Sequence, residues 1–139
     1  MRIGIDLGGT FIKAGIVDNG RVLRKISKPT EAEKGKQRVI RNVLNCVAEL
    51  QQDDVEGVGI GCPGSIEHSS GRVVSSTNLP IGGTNFPELI KKKFSLPAEI
   101  DNDANCFALG EFLYGSGKGA KNLVGITMGT GIGAGIVIN

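Results

Sequence analysis

The chain has 139 residues, 40% of them hydrophobic and 22% charged, with a net charge of +2: one domain's worth of ordinary globular chain. Basic residues are scattered apart from Lys91-Lys92-Lys93, so nucleic acid is not expected as a main partner. No apolar run reaches a spanning length, residues 1–20 lack the form of a signal peptide, and Cys46, Cys62 and Cys106 make no disulfide or zinc pattern; a cytoplasmic protein without a membrane partner is expected.

In chain order, residues 2–7, 11–18 and 21–28 are predicted strands, the last two joined by the hairpin signal Asn19-Gly20. Between 36 and 52, Val39, Ile40, Val43, Leu44, Val47 and Leu50 recur at helical spacing. Residues 55–60 read as a buried strand running into Gly61-Cys62-Pro63-Gly64, and 65–78 as a loop or small hairpin. A short helix follows at 86–94, a strand at 98–100, and an amphipathic helix at 105–114 capped by Asn102 or Asp103. A Gly/Lys/Ser loop at 115–122 leads to strands at 123–128 and 133–138. The order predicts an α/β layer architecture with a mixed sheet, leading β-hairpins and flanking helices.

The 22 glycines cluster at loop positions, where close backbone approach or positive φ is expected. Two of these loops echo each other. Segments 3–19 and 124–139 coincide at eight positions when Lys13 is left unpaired, and both read strand, glycine turn, strand. Such a repeat predicts a duplicated unit: residues 1–123 form one lobe, and 124–139 are the first hairpin of a truncated second.

Two familiar phosphate motifs fail. GSGKG at 115–119 has Phe112 where Walker A needs its first glycine and Gly119 where it needs Ser or Thr. GTGIGA at 129–134 is followed by a strand, without the helix and acid of a dinucleotide fingerprint. The turns themselves remain as candidate anion nests, since successive backbone N–H groups in such turns point the same way. Asp6 beside the Gly8-Gly9-Thr10 turn repels phosphate directly, yet it can hold Mg²⁺ through water, and Lys13 adds countercharge. That combination suits Mg·ATP.

The stretch IDNDANC at 100–106 puts an amide and a carboxylate together at a helix start, more than capping requires. Asn102 beside Asp103 suits a polyhydroxylated ligand, the amide fixing hydroxyls and Asp103 taking a proton from the attacking one. Glu111 reads as a solvated or structural acid. His68, without a partner acid in sequence, reads as a surface residue. GIGCPGSI at 59–66 and SSTNLP at 75–80 add backbone and hydroxyl groups of the kind that bind sugars, a common composition in loops.

Taken in order, DLGGTFIK, GIGCPG, STNLP, DNDAN and TMGTGIGAG resemble the ROK family (repressors, open reading frames, kinases) of the actin-like ATPase (ribonuclease H-like) superfamily over the whole chain. The resemblance implies a glucokinase-like lobe of a hexose or N-acetylhexosamine kinase that transfers the ATP γ-phosphoryl to a sugar hydroxyl, with ATP and Mg²⁺. It implies a first phosphate loop of Asp6, Gly8, Gly9, Thr10 and Lys13, a second of Gly129, Thr130 and Gly131, a sugar pocket of Gly64, Ser65, Thr77, Asn78 and Asn102, and Asp103 as general base. The family's zinc cluster, further sugar-binding residues and adenine segment lie beyond the second phosphate loop, and Phe86 stands in for the tryptophan that usually follows NLP. The isolated chain is expected to be inactive.

Two other readings compete. A sugar-responsive regulator of the same family would carry a DNA-binding segment ahead of DLGGT, where this chain has only its first residues. A filament or chaperone-type ATPase would have no use for the paired Asn102-Asp103. The apolar 124–138 hairpin is expected to pair with the first lobe or with a second copy, giving a homodimer or other self-association.

Overall fold

The computed structural model describes residues 1–129 and 131–138. Its main sheet has five strands in the order β3-β2-β1-β4-β7. β1 (Arg2–Leu7), β2 (Phe11–Asp18) and β3 (Arg21–Pro29) form an antiparallel meander, while β4 (Val58–Cys62) and β7 (Ala98–Asn102) add in parallel beyond β1. Period-two alternation decides the faces. Ile3, Ile5 and Leu7 of β1 and Ile12, Ala14 and Ile16 of β2 point to one side and are buried there. α1 (Lys36–Leu50) and α2 (Phe86–Phe94) bring Val39, Val43, Val47, Leu50, Phe86 and Ile90 into the same core.

The opposite face is nearly bare. Gly59, Gly4 and Gly15 lie in register across three neighbouring strands, and the next row holds Gly61, Asp6 and Lys13. α3 (Asp103–Tyr114) covers part of this face from β4 and β7 outward, and the separate hairpin of β8 (Asn122–Met128) and β9 (Ile132–Ile138) packs on the far side of α3. The fit is close: a Cβ on Gly135 would come 2.4 Å from the Ala104 carbonyl oxygen and 2.7 Å from the Ala108 Cβ.

Elements mostly start and stop where expected. α1 ends at Leu50 because Gln51 turns extended. β4 begins later and runs further than 55–60, since its parallel partners, Ile3 to Asp6 of β1 and Ala98 to Asn102 of β7, fix its span. Residues 65–78 resolve into β5 (Ser65–Glu67) paired with β6 (Arg72–Ser75).

Three expectations change. α3 is not amphipathic: only Ala104 and Ala108 are buried, while Phe107, Leu109, Leu113 and Tyr114 are exposed. A helix apolar all round is one built to be covered on several sides. The β8–β9 hairpin does not extend the first lobe's sheet as an edge; it docks through its glycine face onto α3. The echo between the hairpins also needs a different alignment. Leu7 pairs with Ile12 and Met128 with Ile132, so the extra residue belongs to the turn, and Lys13 has a counterpart in Gly133. The registers then coincide, with Gly4 opposite Gly15 in one hairpin and Gly125 opposite Gly135 in the other.

Candidate phosphate and sugar site

The first glycine turn is held from inside the protein. The Gly8 N–H donates to the Phe11 carbonyl at 3.1 Å, closing the turn. Thr30, fully buried just after β3, donates its hydroxyl to the Gly8 carbonyl at 2.7 Å and its N–H to the Thr10 carbonyl at 2.9 Å. Asn42 of α1 backs this up, its amide donating to the carbonyls of Pro29 at 3.1 Å and Thr30 at 3.2 Å and to Glu31 Oε2 at 3.0 Å. Hydrogen bonds from Lys34 and then Asn42 hold the Glu31 carboxyl down to about 2. Neither Thr30 nor Asn42 was singled out from sequence. The signal available was a threonine after proline at the end of a strand, too common to select.

Outward from this turn, among the described residues, no acceptor takes the N–H of Gly9 or Thr10. Gly9 has no neighbour within 4 Å of a would-be Cβ, and the same is true of Gly129 and Gly131 at the other hairpin's tip. Neither Gly9 nor Gly129 has a left-handed φ, so the fold itself does not require glycine at either position; close approach of a ligand would. Thr130 lies outside the described residues.

The β7–α3 junction is a second convergence. Asn102 accepts at Oδ1 from the N–H groups of Ala104 (2.9 Å) and Asn105 (3.4 Å), which settles it as the helix cap, and its amide donates to the Gly64 carbonyl at 3.1 Å. Much of its side chain is thus spent joining α3 to the Cys62-Pro63-Gly64 loop, leaving one amide N–H for a ligand. Asp103 follows at the exposed first turn, its Oδ1 accepting the Ala104 N–H at 3.0 Å. Asp101 Oδ1 accepts from the Asn102 N–H at 2.6 Å and the Asn105 amide at 3.0 Å. His68 lies 3.9 Å from the same oxygen, so the histidine read as partnerless does face an acid, brought to it by the β5–β6 hairpin. Glu111 is structural, accepting the Ser116 N–H at 2.8 Å.

Asp6, Lys13, Asp103 and Thr127 all line one open cleft of about 910 Å³ between the sheet's bare face, α3 and β8. Gly64 lies between β4 and β5 and accepts the Asn102 amide, and Ser65 opens β5; Thr77 and Asn78 are exposed in the loop after β6. Among the described residues no three His, Cys, Asp or Glu side chains converge as a metal cage, so a cation at Asp6 would take most of its ligands from water and phosphate, which suits Mg²⁺. No helix among the described residues is long and apolar enough to cross a membrane.

Cys106 sits at the edge of this cleft, over Gly61. Although the residue is exposed, burial of its sulfur, then the charges of Asp101, Asp103 and Asp6, push the thiol up to about 11; Cys62, more deeply buried, rises to about 12. At pH 8 both stay protonated, so a disulfide reagent should label Cys106 about a hundredfold more slowly than free cysteine. Labelling at the free-cysteine rate would contradict the buried setting of its sulfur.

The sequence matches the ROK family over residues 2–139. It is 40% identical to a glucokinase from Thermotoga maritima over 139 residues, covering 97% of this chain and 44% of that protein. A xylose repressor from Caldicellulosiruptor bescii is 34% identical, covering 99% of this chain and 36% of the repressor. The crystal structure of a ROK family glucokinase from Streptomyces griseus in complex with glucose and AMPPNP superposes with a TM-score of 0.90 at 34% identity, over 99% of this chain and 44% of that one. The chain therefore spans less than half the length of these relatives. The fold is that of the actin-like sugar kinases. The chain belongs to the ROK family.

Proposed function

We propose that the protein is an ATP-dependent sugar kinase acting on a hexose or N-acetylhexosamine, with residues 1–123 as its first lobe and 124–139 opening the second. The observation that carries this reading is the single cleft onto which Asp6, Lys13, Asp103 and Thr127 all open. On this reading, the free N–H groups at the Gly8-Gly9-Thr10 turn and Lys13 bind the donor phosphates, joined by Gly129, Thr130 and Gly131. Gly64, Ser65, Thr77, Asn78 and the remaining amide N–H of Asn102 orient the sugar. Asp103 takes the proton from the attacking hydroxyl as its oxygen bonds to the γ-phosphorus and the bond to the nucleoside diphosphate breaks. A Mg²⁺ held at Asp6 through water would supply charge neutralisation on the phosphates.

A coupled ADP-release assay over a panel of hexoses and N-acetylhexosamines tests this. The full-length protein should turn over with at least one sugar, and the 139-residue chain with none. Turnover by the short chain would overturn the assignment of the site to two lobes. The similarity to a xylose repressor supports a second reading as a sugar-responsive regulator; sugar-dependent operator binding by a full-length protein without kinase turnover would favour it.

The β8–β9 hairpin supports a proposal about partners. Its outer face exposes Val124, Ile126, Met128, Ile132, Ile136 and Ile138, most of them over 60% accessible. Such a face associates in water. The 139-residue chain should sediment as a dimer or larger species, and Ile126→Lys with Ile136→Lys should return it to monomer. A wild-type chain that sediments only as monomer would refute self-association.

A further inference from the structure

Nothing in the sequence motifs marks Thr30, yet it holds two carbonyls of the Gly8-Gly9-Thr10 turn: Gly8 through its hydroxyl and Thr10 through its N–H. Its side chain has no exposure to solvent, so it can touch neither sugar nor nucleotide. Its effect on chemistry has to run through the turn.

The geometry of the peptide unit says how. In a trans peptide the C=O and the following N–H point in opposite directions. Among the described residues every peptide bond is trans. Drawing the Gly8 carbonyl inward to the Thr30 hydroxyl therefore turns the Gly9 N–H outward, where no acceptor among the described residues meets it. The Gly8 N–H is already spent on Phe11, so the turn cannot use that donor instead. A glycine pair would otherwise be free to rotate this peptide plane, since neither side chain nor neighbour restrains Gly9. Asn42 holds the Thr30 and Pro29 carbonyls from α1, which keeps Thr30 in place.

We propose that Thr30 is a positioning residue for phosphate recognition: its buried hydroxyl locks the Gly8–Gly9 peptide with the N–H outward, so that an anion meets a preset donor. The inference rests on the reading of this turn as a phosphate loop. It places the lock on the far side of the turn from the ligand, with its buttress on α1, some distance along the chain from any glycine motif. A preset donor costs no reorganisation when the anion arrives, which is where oriented backbone dipoles gain their strength.

The test uses three substitutions in the full-length protein. Thr30→Val keeps the shape and removes the hydroxyl; Thr30→Ser keeps the hydroxyl and removes the methyl. Thr30→Val should raise the KM for Mg·ATP about tenfold, the size expected for loss of one oriented donor's alignment, and leave the KM for sugar unchanged. Thr30→Ser should restore the donor KM to near wild type. A purely structural threonine would lower the thermal midpoint in both variants and move both KM values alike, and that result overturns the proposal. Asp6→Ala serves as the control. If it leaves the donor KM unchanged, the phosphate-loop reading itself fails, and Thr30 with it. If Asp6→Ala raises the donor KM while Thr30→Val does not, only the role of Thr30 falls.

Should Thr30→Val not fold, the wild-type 139-residue chain gives a second measurement. The Thr30 hydroxyl proton should exchange slowly enough to give its own NMR resonance, because it is buried and bonded to the Gly8 carbonyl. A Thr30 hydroxyl that exchanges as fast as an exposed one would overturn the lock.

Discussion

Asp103→Ala in the full-length protein is expected to lower kcat roughly 10²–10⁴-fold, the contribution of a positioned general base, or about 3–5 kcal/mol of transition-state stabilisation. The fold should survive the change. Asp103 is exposed at the first turn of α3, and the Ala104 N–H that it caps at 3.0 Å keeps its bond to Asn102 at 2.9 Å. The thermal midpoint should therefore move little, and sugar binding should persist through Asn102 and the Gly64 loop. Near wild-type turnover would remove Asp103 from the role proposed for it. A collapse of the midpoint instead would show that the carboxylate serves α3 more than it serves the sugar.

Gly64→Ala should be the most damaging single substitution for stability among the proposed site residues. Gly64 has φ 120°, and a Cβ there would stand 2.1 Å from the Ser75 carbonyl oxygen and 3.0 Å from the Ser76 Cα. Both partners are backbone of the strand end that faces it, so relief requires the loop or β6 to shift. The expected loss is on the order of 3 kcal/mol, from strained φ and overpacking together. Because the Gly64 carbonyl accepts the Asn102 amide at 3.1 Å, the same shift should loosen the sugar side of the site and raise the sugar KM in the full-length protein. Urea unfolding of the 139-residue chain checks the first part. Gly9→Ala is the comparison, since nothing stands within 4 Å of its Cβ; its midpoint should stay close to wild type. Equal midpoints for the two variants would show that the Gly64 loop yields without cost.

Much of this architecture is legible along the chain because it depends on neighbours. Alternation in IGIDL and FIKAGIV follows from the two faces of a strand, Asn19-Gly20 from the positive φ that its hairpin needs, and the 36–50 helix from the spacing of Val39, Val43, Val47 and Leu50. The pairing of Asn102 with Asp103 at a strand end, and the order of five motifs, pointed to the family without any tertiary knowledge. The general character of α3 was one point that misled: an amphipathic helix was expected, yet Phe107, Leu109, Leu113 and Tyr114 are all exposed.

What the chain order could not reveal are contacts between residues far apart in it. Thr30 reaches back 22 positions to Gly8, and the partner acid of His68 sits on β7, beyond the β5–β6 hairpin and α2. Asn102 acts as a cap and a tether at once only because the parallel pairing of β4 with β7 brings Cys62 opposite it. The alignment of the two hairpins rests on strand register: Leu7 opposite Ile12 and Met128 opposite Ile132 put the extra residue in the turn, while Gly4 still corresponds to Gly125 and Gly15 to Gly135. By itself the sequence determined most of the strands and helices and the family, and it supplied the residue types proposed for the site. The tertiary structure decided which backbone groups are left free to meet a ligand, because a hydrogen bond closed inside the fold is one that no ligand can claim.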